Sequence, residues 1–356
     1  MKKKLISLIA ASFLAMSLLT GCGAGAEEPT TEATTEATSE AASEETEATT
    51  TEATEEATEV SGVESTDRAG NTVIIPDTVD KIVSMAPSTT RLLIDMGLAD
   101  KIVAVDTNTG FSYAASLSAD IPQFDMMAPD NEALVALEPD IIFTSGMSNL
   151  GGDDVYQSAR DAGICVYDIP SAASINDIAL DIVAIGDAVH AEDAASDIIF
   201  DFNDQLEQIQ AIGNSITEKK TVLFEISLPS ADYPSIYTFG TGTYLDEMIT
   251  TIGAENVTGD QESWISISEE EAIAMNPDVI ITNVNYVDDA VETIKSSEGW
   301  ENVTAIQNGD VYYIDADASN QPNNHIIDAL IQMGKAVYPD EFADFEDPFA
   351  SATDAE

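Results

Sequence analysis

Positive charge is scarce in this sequence. Lysine and arginine together number 12, against 66 aspartates and glutamates, which gives a formal net charge of -54. Only a minority of these acids lie in the first 62 residues, so the folded part is acidic too. A surface of this sign repels phosphate backbones and anionic membrane faces, so nucleic acid is not expected as a partner.

Histidine is scarcer still, with 2 residues, His190 and His325. A transition-metal site made of protein ligands needs clustered histidines, cysteines and carboxylates. His190 falls at a predicted break in a helical region, and His325 is expected to begin the last helix. Because these positions are far apart, no protein-ligated metal site is predicted.

Catalytic signatures are missing as well. There is no Gly-x-Ser-x-Gly elbow, no Walker loop, no HExxH helix and no evident Cys-His pairing. The glycine-rich loop TFGTGTY, residues 238–244, lacks the Lys-Ser/Thr that completes a phosphate-binding loop. An enzyme is therefore not expected. A cell-surface hydrolase with a pair of catalytic carboxylates and an adhesion lipoprotein stay open as alternatives.

Cysteine occurs twice, and the first copy belongs to an export signal. Three lysines are followed by an apolar run over residues 5–19 and then by Leu-Thr-Gly-Cys, which ends at Cys22. This order is typical of a lipoprotein signal peptide, residues 1–21, whose removal leaves a lipid on Cys22. A membrane-spanning helix needs ~20 apolar residues, more than this run provides.

The expected location is therefore the outer face of the cytoplasmic membrane, at the cell surface. The lipid on Cys22 is the only predicted membrane contact and the only predicted covalent group. The second cysteine, Cys165, lies in the apolar run GICVYDIP and is expected to be a buried free thiol without a disulfide.

Residues 22–62 contain almost only Thr, Glu, Ala and Ser. Such a segment cannot bury enough apolar surface to offset the entropy of ordering, so it is predicted to be a disordered acidic tether. A glycosylated stalk is the open alternative. The remaining chain is long enough for two lobes, each with its own core.

One stretch occurs twice: EALVALEPDIIFT over residues 132–144 and EEAIAMNPDVIIT over residues 270–282. Each copy has the pattern of a helix closed by Pro-Asp and followed by a buried parallel strand. Alignment on Pro139 and Pro277 superposes Glu132 on Glu270, both near a helix start. This duplication predicts two similar lobes.

Strands and helices alternate through both halves, which predicts an α/β fold with mostly parallel sheets. The predicted segments are an N-terminal lobe (63–173), a linking helical region (174–217), a C-terminal lobe (218–340) and a frayed acidic tail (341–356). The linking region has helical periodicity, with a break near residues 186–190. One long helix between the lobes predicts a stiff connection.

These features together resemble a known family. The lipobox, the two α/β lobes, the linking helix, TDRAGNTVIIP and APSTTRLLIDMGLADKIVAV are similar to the substrate-binding lipoproteins of ABC importers for vitamin B12, ferric siderophores and haem. The resemblance covers about residues 65–338. It implies two Rossmann-like lobes joined by one long helix, as in class III substrate-binding proteins. It also implies a monomer that binds its ligand between the lobes and delivers it to an ABC permease dimer with its ATPase.

The resemblance assigns a role to the duplicated glutamates. In the vitamin B12 binding proteins, a glutamate seven residues before the proline of this unit contacts arginines of the permease. The matching residues here are Glu132 and Glu270, which are therefore predicted to dock the permease. Taken alone, each is also an ordinary first-turn glutamate favoured by the helix dipole.

Aromatic and sulfur-containing side chains dominate the predicted ligand cleft. Trp264 falls where the B12 binders carry a cleft tryptophan, although a core tryptophan closing a helix end is equally consistent with the sequence. The other cleft candidates are Tyr237, Phe239, Phe111, Tyr113, Phe124, Met126 and Met127, with polar contacts from Asp317, Asn320 and Gln321.

Departures from the family pattern narrow the range of expected ligands. Ser145 stands where the B12 binder has another tryptophan, and Asn320 and Gln321 replace a charged pair. Arg91 is the main candidate for a basic group in the cleft, whereas siderophore binders use several arginines. An uncharged or cationic metal chelate is expected, a corrinoid first, with a ferric siderophore or haem as alternatives.

Overall fold

The computed structural model describes residues 61–149 and 151–349. The predicted signal peptide, Cys22 and nearly all of the predicted tether lie outside the described residues. Within the described part, no helix combines the length and apolarity needed to cross a membrane.

The first lobe is built on a parallel five-stranded sheet, preceded by an antiparallel hairpin with Gly70 in its turn. Its elements are, in chain order, β1 (Gly62–Thr66), β2 (Thr72–Pro76), β3 (Ile82–Ser84), α1 (Pro87–Asp95), β4 (Ile102–Asp106), α2 (Thr109–Ser112), β5 (Gln123–Phe124), α3 (Asn131–Val135), β6 (Ile141–Phe143), α4 (Gln157–Asp161) and β7 (Cys165–Tyr167). The strand order is β5-β4-β3-β6-β7.

Two helices follow: α5 (Ile175–Ala188) and α6 (Glu192–Ser215). Ser174 and Asp177 form a capping box that begins α5. His190 has a left-handed backbone (φ 56°) and separates the two helices completely. The predicted linking region therefore holds one additional helix, and the long linking helix itself is α6, of 24 residues.

A close contact between α5 and α6 explains why the helical region is interrupted at this point. A Cβ atom added at Gly186 would lie 2.3 Å from the Cβ of Ala195, so only glycine lets α5 pack this closely on α6. Ile178, Ile182 and Ile185 on α5 are buried in the core that both lobes share.

The second lobe has a parallel four-stranded sheet and a separate antiparallel strand pair. Its elements are β8 (Thr221–Glu225), β9 (Ser235–Phe239), α7 (Tyr244–Thr251), β10 (Glu255–Asn256), β11 (Trp264–Ser268), α8 (Glu269–Met275), β12 (Val279–Thr282), α9 (Ala290–Lys295), α10 (Thr304–Asn308), β13 (Val311–Tyr313), α11 (Ala316–Asn320) and α12 (Ile326–Val337).

The two main sheets share one topology. The order β10-β8-β12-β13 in the second lobe matches β4-β3-β6-β7 in the first: β8 lies between β10 and β12 as β3 lies between β4 and β6. The duplicated stretch provides the equivalent strands β6 and β12, each followed along the chain by the last strand of its sheet. The α/β fold with two lobes and parallel sheets is thus confirmed.

The Pro-Asp pair of each duplicated stretch has the same local geometry. Glu138 and Asn276, just before the prolines, have left-handed backbones with φ of 49° and 50°. The Asp140 carboxylate then accepts hydrogen bonds from the backbone N–H groups that lead into β3, and Asp278 accepts from the backbone and hydroxyl of Thr221 at the start of β8. Each Pro-Asp unit therefore fastens its own strand to the neighbouring one.

The acidic tail differs from the expectation. Phe342 is fully buried against Gly334 of α12, and Phe345 stacks on it with ring centroids 5.9 Å apart. Lys335 Nζ donates to the carbonyl oxygen of Phe345 at 2.6 Å. The prediction of a frayed tail is therefore wrong for residues 341–349, because two phenylalanines bury themselves on the last helix.

Cys165 occupies the position that the sequence predicts, in a buried strand, as a free thiol. Burial raises the pKa of this thiol to about 12. At neutral pH it is therefore an unreactive apolar side chain.

Candidate functional site

A cavity of about 670 Å³ lies between the two lobes. The first turn of α1 and the segments that follow β6 and β7 line it from the first lobe, and α5 lines one side. From the second lobe come β9, α7, the start of β11 and the segment after α11. Two parallel strands of the first lobe, β6 and β7, thus end near it, as is usual for ligand sites in open α/β sheets, whereas the second lobe contributes its antiparallel strand pair.

Two stacked aromatic side chains from the second lobe line this cavity. Tyr237 on β9 and Trp264 on β11 have ring centroids 6.1 Å apart and planes 14° from parallel. The antiparallel register pairs Trp264 with Phe239 and Tyr237 with Ser266, so the two rings are diagonal neighbours on one face. We call Tyr237 and Trp264 the aromatic pair.

Phe239 supports this pair from beneath. It is fully buried and meets Trp264 edge-on at 6.2 Å and Phe224 edge-on at 5.4 Å. The side chain therefore belongs to the core of the second lobe. Its contact with Trp264 fixes the indole but leaves Phe239 behind the cavity surface.

The cavity carries little charge. Among the described residues that line it there is no lysine, arginine or histidine, and the one ionisable carboxyl group is that of Asp181. Arg68, which does not itself line the cavity, donates a hydrogen bond to this carboxylate. Burial, opposed by Arg68, raises the pKa of Asp181 to about 6.

Polar groups at the cavity are mostly neutral. Ser88 and Thr89 lie in the first turn of α1, where backbone N–H groups have no partner within the helix. Across the cavity, Asn320 ends α11 and Asn323 belongs to the segment that follows it. The buried Asn323 Nδ2 has no hydrogen-bond partner within the described residues. These groups can exchange hydrogen bonds with a neutral ligand.

Several residues predicted for the cleft contact other side chains beside the cavity, either within the first lobe or across to the second. Arg91 donates to Asp95 at 3.2 Å, lies 5.7 Å from the Tyr113 ring centre, and does not line the cavity. Tyr113 donates its hydroxyl proton to Gln321, and Ser112 donates to Asp317 at 2.9 Å. Arg91, the basic residue predicted for the cleft, is therefore paired with Asp95 outside the cavity lining, because the two residues lie one helical turn apart.

Of the remaining residues predicted for the cleft, some line the cavity and others do not. Met126 lines the cavity, as do Asn320 and Gln321. Phe124 packs against the core of the first lobe, and the exposed Met127 is not part of the lining. Phe111 lies in α2, and its side chain is outside the described part of the structure.

Sequence reasoning missed the largest share of the first-lobe lining. Residues 144–147 and 169–172 follow the carboxyl ends of β6 and β7 and line the cavity. The pattern of buried strands followed by small and polar residues was the available signal. Ile178, Ile182 and Ile185, which share one face of α5, belong to the core and also border the cavity.

Residues 82–318 match the family described as "Periplasmic binding protein". This chain belongs to that family. The match confirms the resemblance that the sequence motifs indicate. Among related sequences, the uncharacterized ABC transporter substrate-binding lipoprotein YvrC of Bacillus subtilis is 29% identical over 342 residues, covering 96% of this chain and 99% of that protein.

This periplasmic binding protein has further relatives with named ligands. A cobalamin-binding protein of Halobacterium salinarum is 25% identical over 279 residues, covering 76% of this chain and 73% of that protein. The solved structure of the Haemophilus influenzae molybdate-binding protein MolA, with molybdate bound, has a TM-score of 0.68 at 19% identity, covering 80% of this chain and 94% of that chain. At that identity the similarity supports the fold alone.

The duplicated glutamates of this binding protein occupy equivalent positions. Glu132 is the second residue of α3, whose N-cap is Asp130, and Glu270 is the second residue of α8, whose N-cap is Ser268. Both side chains are exposed. Each lobe therefore presents a carboxylate at the second position of the helix in its duplicated stretch, and in α8 this glutamate stands between Glu269 and Glu271.

The two histidines are engaged separately. His190 Nε2 lies 2.7 Å from the carbonyl oxygen of Pro76, and His325 lies between Asp95 and Asp328. Among the described residues, no group of three or more His, Cys, Asp or Glu is arranged to hold a metal ion.

Proposed function

We propose that this protein is the lipid-anchored substrate-binding component of an ABC importer, and that it captures an uncharged or cationic metal chelate, a corrinoid first, between its lobes. It is a receptor without catalytic activity that delivers its ligand to a permease dimer. The observation that carries the proposal is the inter-lobe cavity, which has an exposed aromatic pair and no lysine, arginine or histidine among its described lining residues.

The aromatic pair favours a ligand with a broad apolar face. Trp264 and Tyr237 keep 42% and 39% of their surface exposed, although large aromatic side chains gain most free energy when buried. A macrocycle lying on the indole would bury that surface. The neutral polar groups on the opposite sides of the cavity would then meet amide or hydroxyl substituents at its edge.

The charge of the lining argues against small oxyanions and polyanionic chelates. Oxyanions such as molybdate and carboxylate-rich siderophores are often held by arginines or lysines, whose charge-assisted hydrogen bonds offset the loss of hydration. The cavity offers no such residue in its described lining, and two arginines beside it are engaged by carboxylates, Arg68 by Asp181 and Arg91 by Asp95. The cobalamin-binding relative is therefore the more informative guide to ligand class.

Titration of the full chain with cobalamin, cobinamide, a ferric siderophore, haem and molybdate tests this proposal. Tryptophan fluorescence should be quenched by the corrinoids, with a Kd below ~10 μM, equivalent to about 7 kcal/mol. Tighter binding of haem or the siderophore would shift the ligand class within the same family. If none of the five binds below ~10 μM, the proposal loses its support, and a macromolecular partner becomes the better explanation.

A further inference from the structure

A chain of charged side chains crosses between the lobes beside the cavity. Asp95 ends α1 in the first lobe, and His325 precedes α12 in the second. His325 Nε2 lies 2.8 Å from Asp95 Oδ2, and Asn324 Nδ2 donates to the same oxygen at 3.0 Å. On the second lobe, His325 Nδ1 lies 2.7 Å from Asp328 Oδ2.

The groups around this chain favour a charged imidazole. Burial alone would lower the pKa of His325, but its hydrogen bonds to Asp328 and Asp95 outweigh burial and raise the pKa to about 9. Arg91, on the other side of Asp95, acts in the opposite direction on His325. For Asp95, burial is likewise outweighed by the hydrogen bonds from His325 and Asn324, so its pKa is lowered.

Asp95 and His325 lie next to residues that line the cavity. Leu92, one helical turn before Asp95, and Asn323, two residues before His325, both line the cavity. The other side-chain contacts described along this boundary, Tyr113 with Gln321 and Ser112 with Asp317, are between side chains with no pair of opposite charges. The Asp95–His325 pair is thus the charged part of this boundary.

We infer that Asp95 and His325 form an inter-lobe clasp that holds the two lobes at the separation needed around the cavity. Its effect on ligand affinity rests on the proposed function, but the clasp itself does not. Asp95 and His325 are positioning residues, because neither lines the cavity. Separating them would move Leu92 away from Asn323 and widen the site on one side.

The direction of the pH dependence follows from the raised pKa of His325. A raised pKa means that the charged pair contributes fully below the ordinary histidine value of about 6.5 and is lost as pH rises through about 9. The clasp is therefore closed at neutral pH and is expected to loosen only in alkaline solution.

Nuclear magnetic resonance of the full chain, labelled with carbon-13 at histidine, tests the charge state. Only two histidines contribute signals, and His190→Gln removes one of them for assignment. His325 should titrate near pH 9. Asp95→Asn should lower this pKa by at least about one unit, a tenfold change in the protonation equilibrium. A value near 6.5 in the unmodified chain would overturn the inference.

Spin labels test the lobe separation without any ligand. Glu132→Cys and Glu270→Cys place one label on each lobe, in a chain that also carries Cys22→Ala, while the buried Cys165 stays unreactive. At pH 6 the distance distribution should be narrow. It should lengthen or broaden above pH 9 in the otherwise unmodified chain, and already at pH 6 in Asp95→Asn.

Asp328→Asn is the matched control for the spin-label measurement. It removes the other carboxylate on His325 but lies in the same lobe, so it should lower the His325 pKa and leave the distance at pH 6 unchanged. An unchanged distance at pH 10 and in Asp95→Asn would show that the pair does not hold the lobes. Because no chelate is present, this result is independent of whether the protein binds one.

Discussion

Trp264 and Trp300 occupy opposite environments, although the sequence alone leaves open that Trp264 is a core residue. Trp300 is 2% exposed and donates from its indole nitrogen to Glu269 at 3.3 Å. Trp264 borders the cavity, with Tyr237 on one face and Phe239 at its edge. The two tryptophans therefore serve as a paired probe of ligand binding.

Replacement of Trp264 by alanine is expected to weaken chelate binding about 10- to 100-fold, because about 1.5–3 kcal/mol is gained when a large apolar side chain is buried. Calorimetric titration measures the change. The matched control, Trp300→Phe, should leave the affinity unchanged and should retain the ligand-dependent quenching that Trp264→Phe loses. Quenching that follows Trp300 instead would place the ligand elsewhere.

The side chains of the site were only partly predictable from the sequence. Trp264, Tyr237 and Met126 could be found because bulky apolar residues in loops or short strands have few other uses. The hydrogen-bond partners of Arg91 and Gln321 could not be predicted, since Asp95 and Tyr113 become their neighbours only through helix geometry and lobe packing. A polar residue's partner depends on the fold, whereas the apolarity of a side chain does not.

At the level of elements, the two copies of the duplicated stretch have different residues at the same left-handed backbone position. The residue before each proline needs a left-handed backbone, and asparagine accepts this conformation more readily than glutamate. The second lobe has Asn276 there, while the first has Glu138. The Glu138 side chain is 87% exposed, and its contact with Lys81 at 3.9 Å is a weak surface ion pair.

Glu138→Gly is therefore expected to stabilise the protein by about 0.5–1 kcal/mol, because glycine adopts this backbone without a steric cost. Urea unfolding measures the difference. The parallel change Asn276→Gly should have a smaller effect, since asparagine already tolerates the conformation. Equal destabilisation by both changes would show that side-chain contacts, rather than backbone strain, decide these positions.

The elements themselves were largely predictable, because alternating buried strands and amphipathic helices leave clear periodicities. The parallel sheets and the linking helix followed from those patterns. The separation of α5 from α6 did not, because it depends on one left-handed residue, His190, and on a backbone contact at Gly186. The packed tail was missed because acidic residues surround its two phenylalanines.

At the level of the whole molecule, Glu132 and Glu270 place a carboxylate at the equivalent helix position of each lobe. We propose that Glu132 and Glu270 contact basic residues of a permease dimer. Exposed charges of this kind set the orientation and rate of association more than the affinity for a small ligand. Neither residue lines the cavity, so delivery and capture should be separable by mutation.

Glu132→Ala combined with Glu270→Ala is expected to leave the chelate Kd unchanged and to abolish ligand uptake by cells that depend on this receptor. Isotope-labelled ligand uptake and titration of the isolated chain measure the two effects. Glu207→Ala with Glu298→Ala removes two other exposed carboxylates and should retain uptake. Loss of chelate binding in the first double variant would place those glutamates at the ligand instead.

The cavity volume also has a consequence for solvent. At about 30 Å³ per molecule of liquid water, 670 Å³ corresponds to roughly twenty waters. The lining is mostly apolar, so that water would find few hydrogen-bond partners and would return to bulk when a ligand enters. Burial of apolar surface gives binding a negative heat-capacity change. The temperature dependence of the affinity should therefore trace a curved van 't Hoff plot, with an enthalpy that grows more favourable on warming.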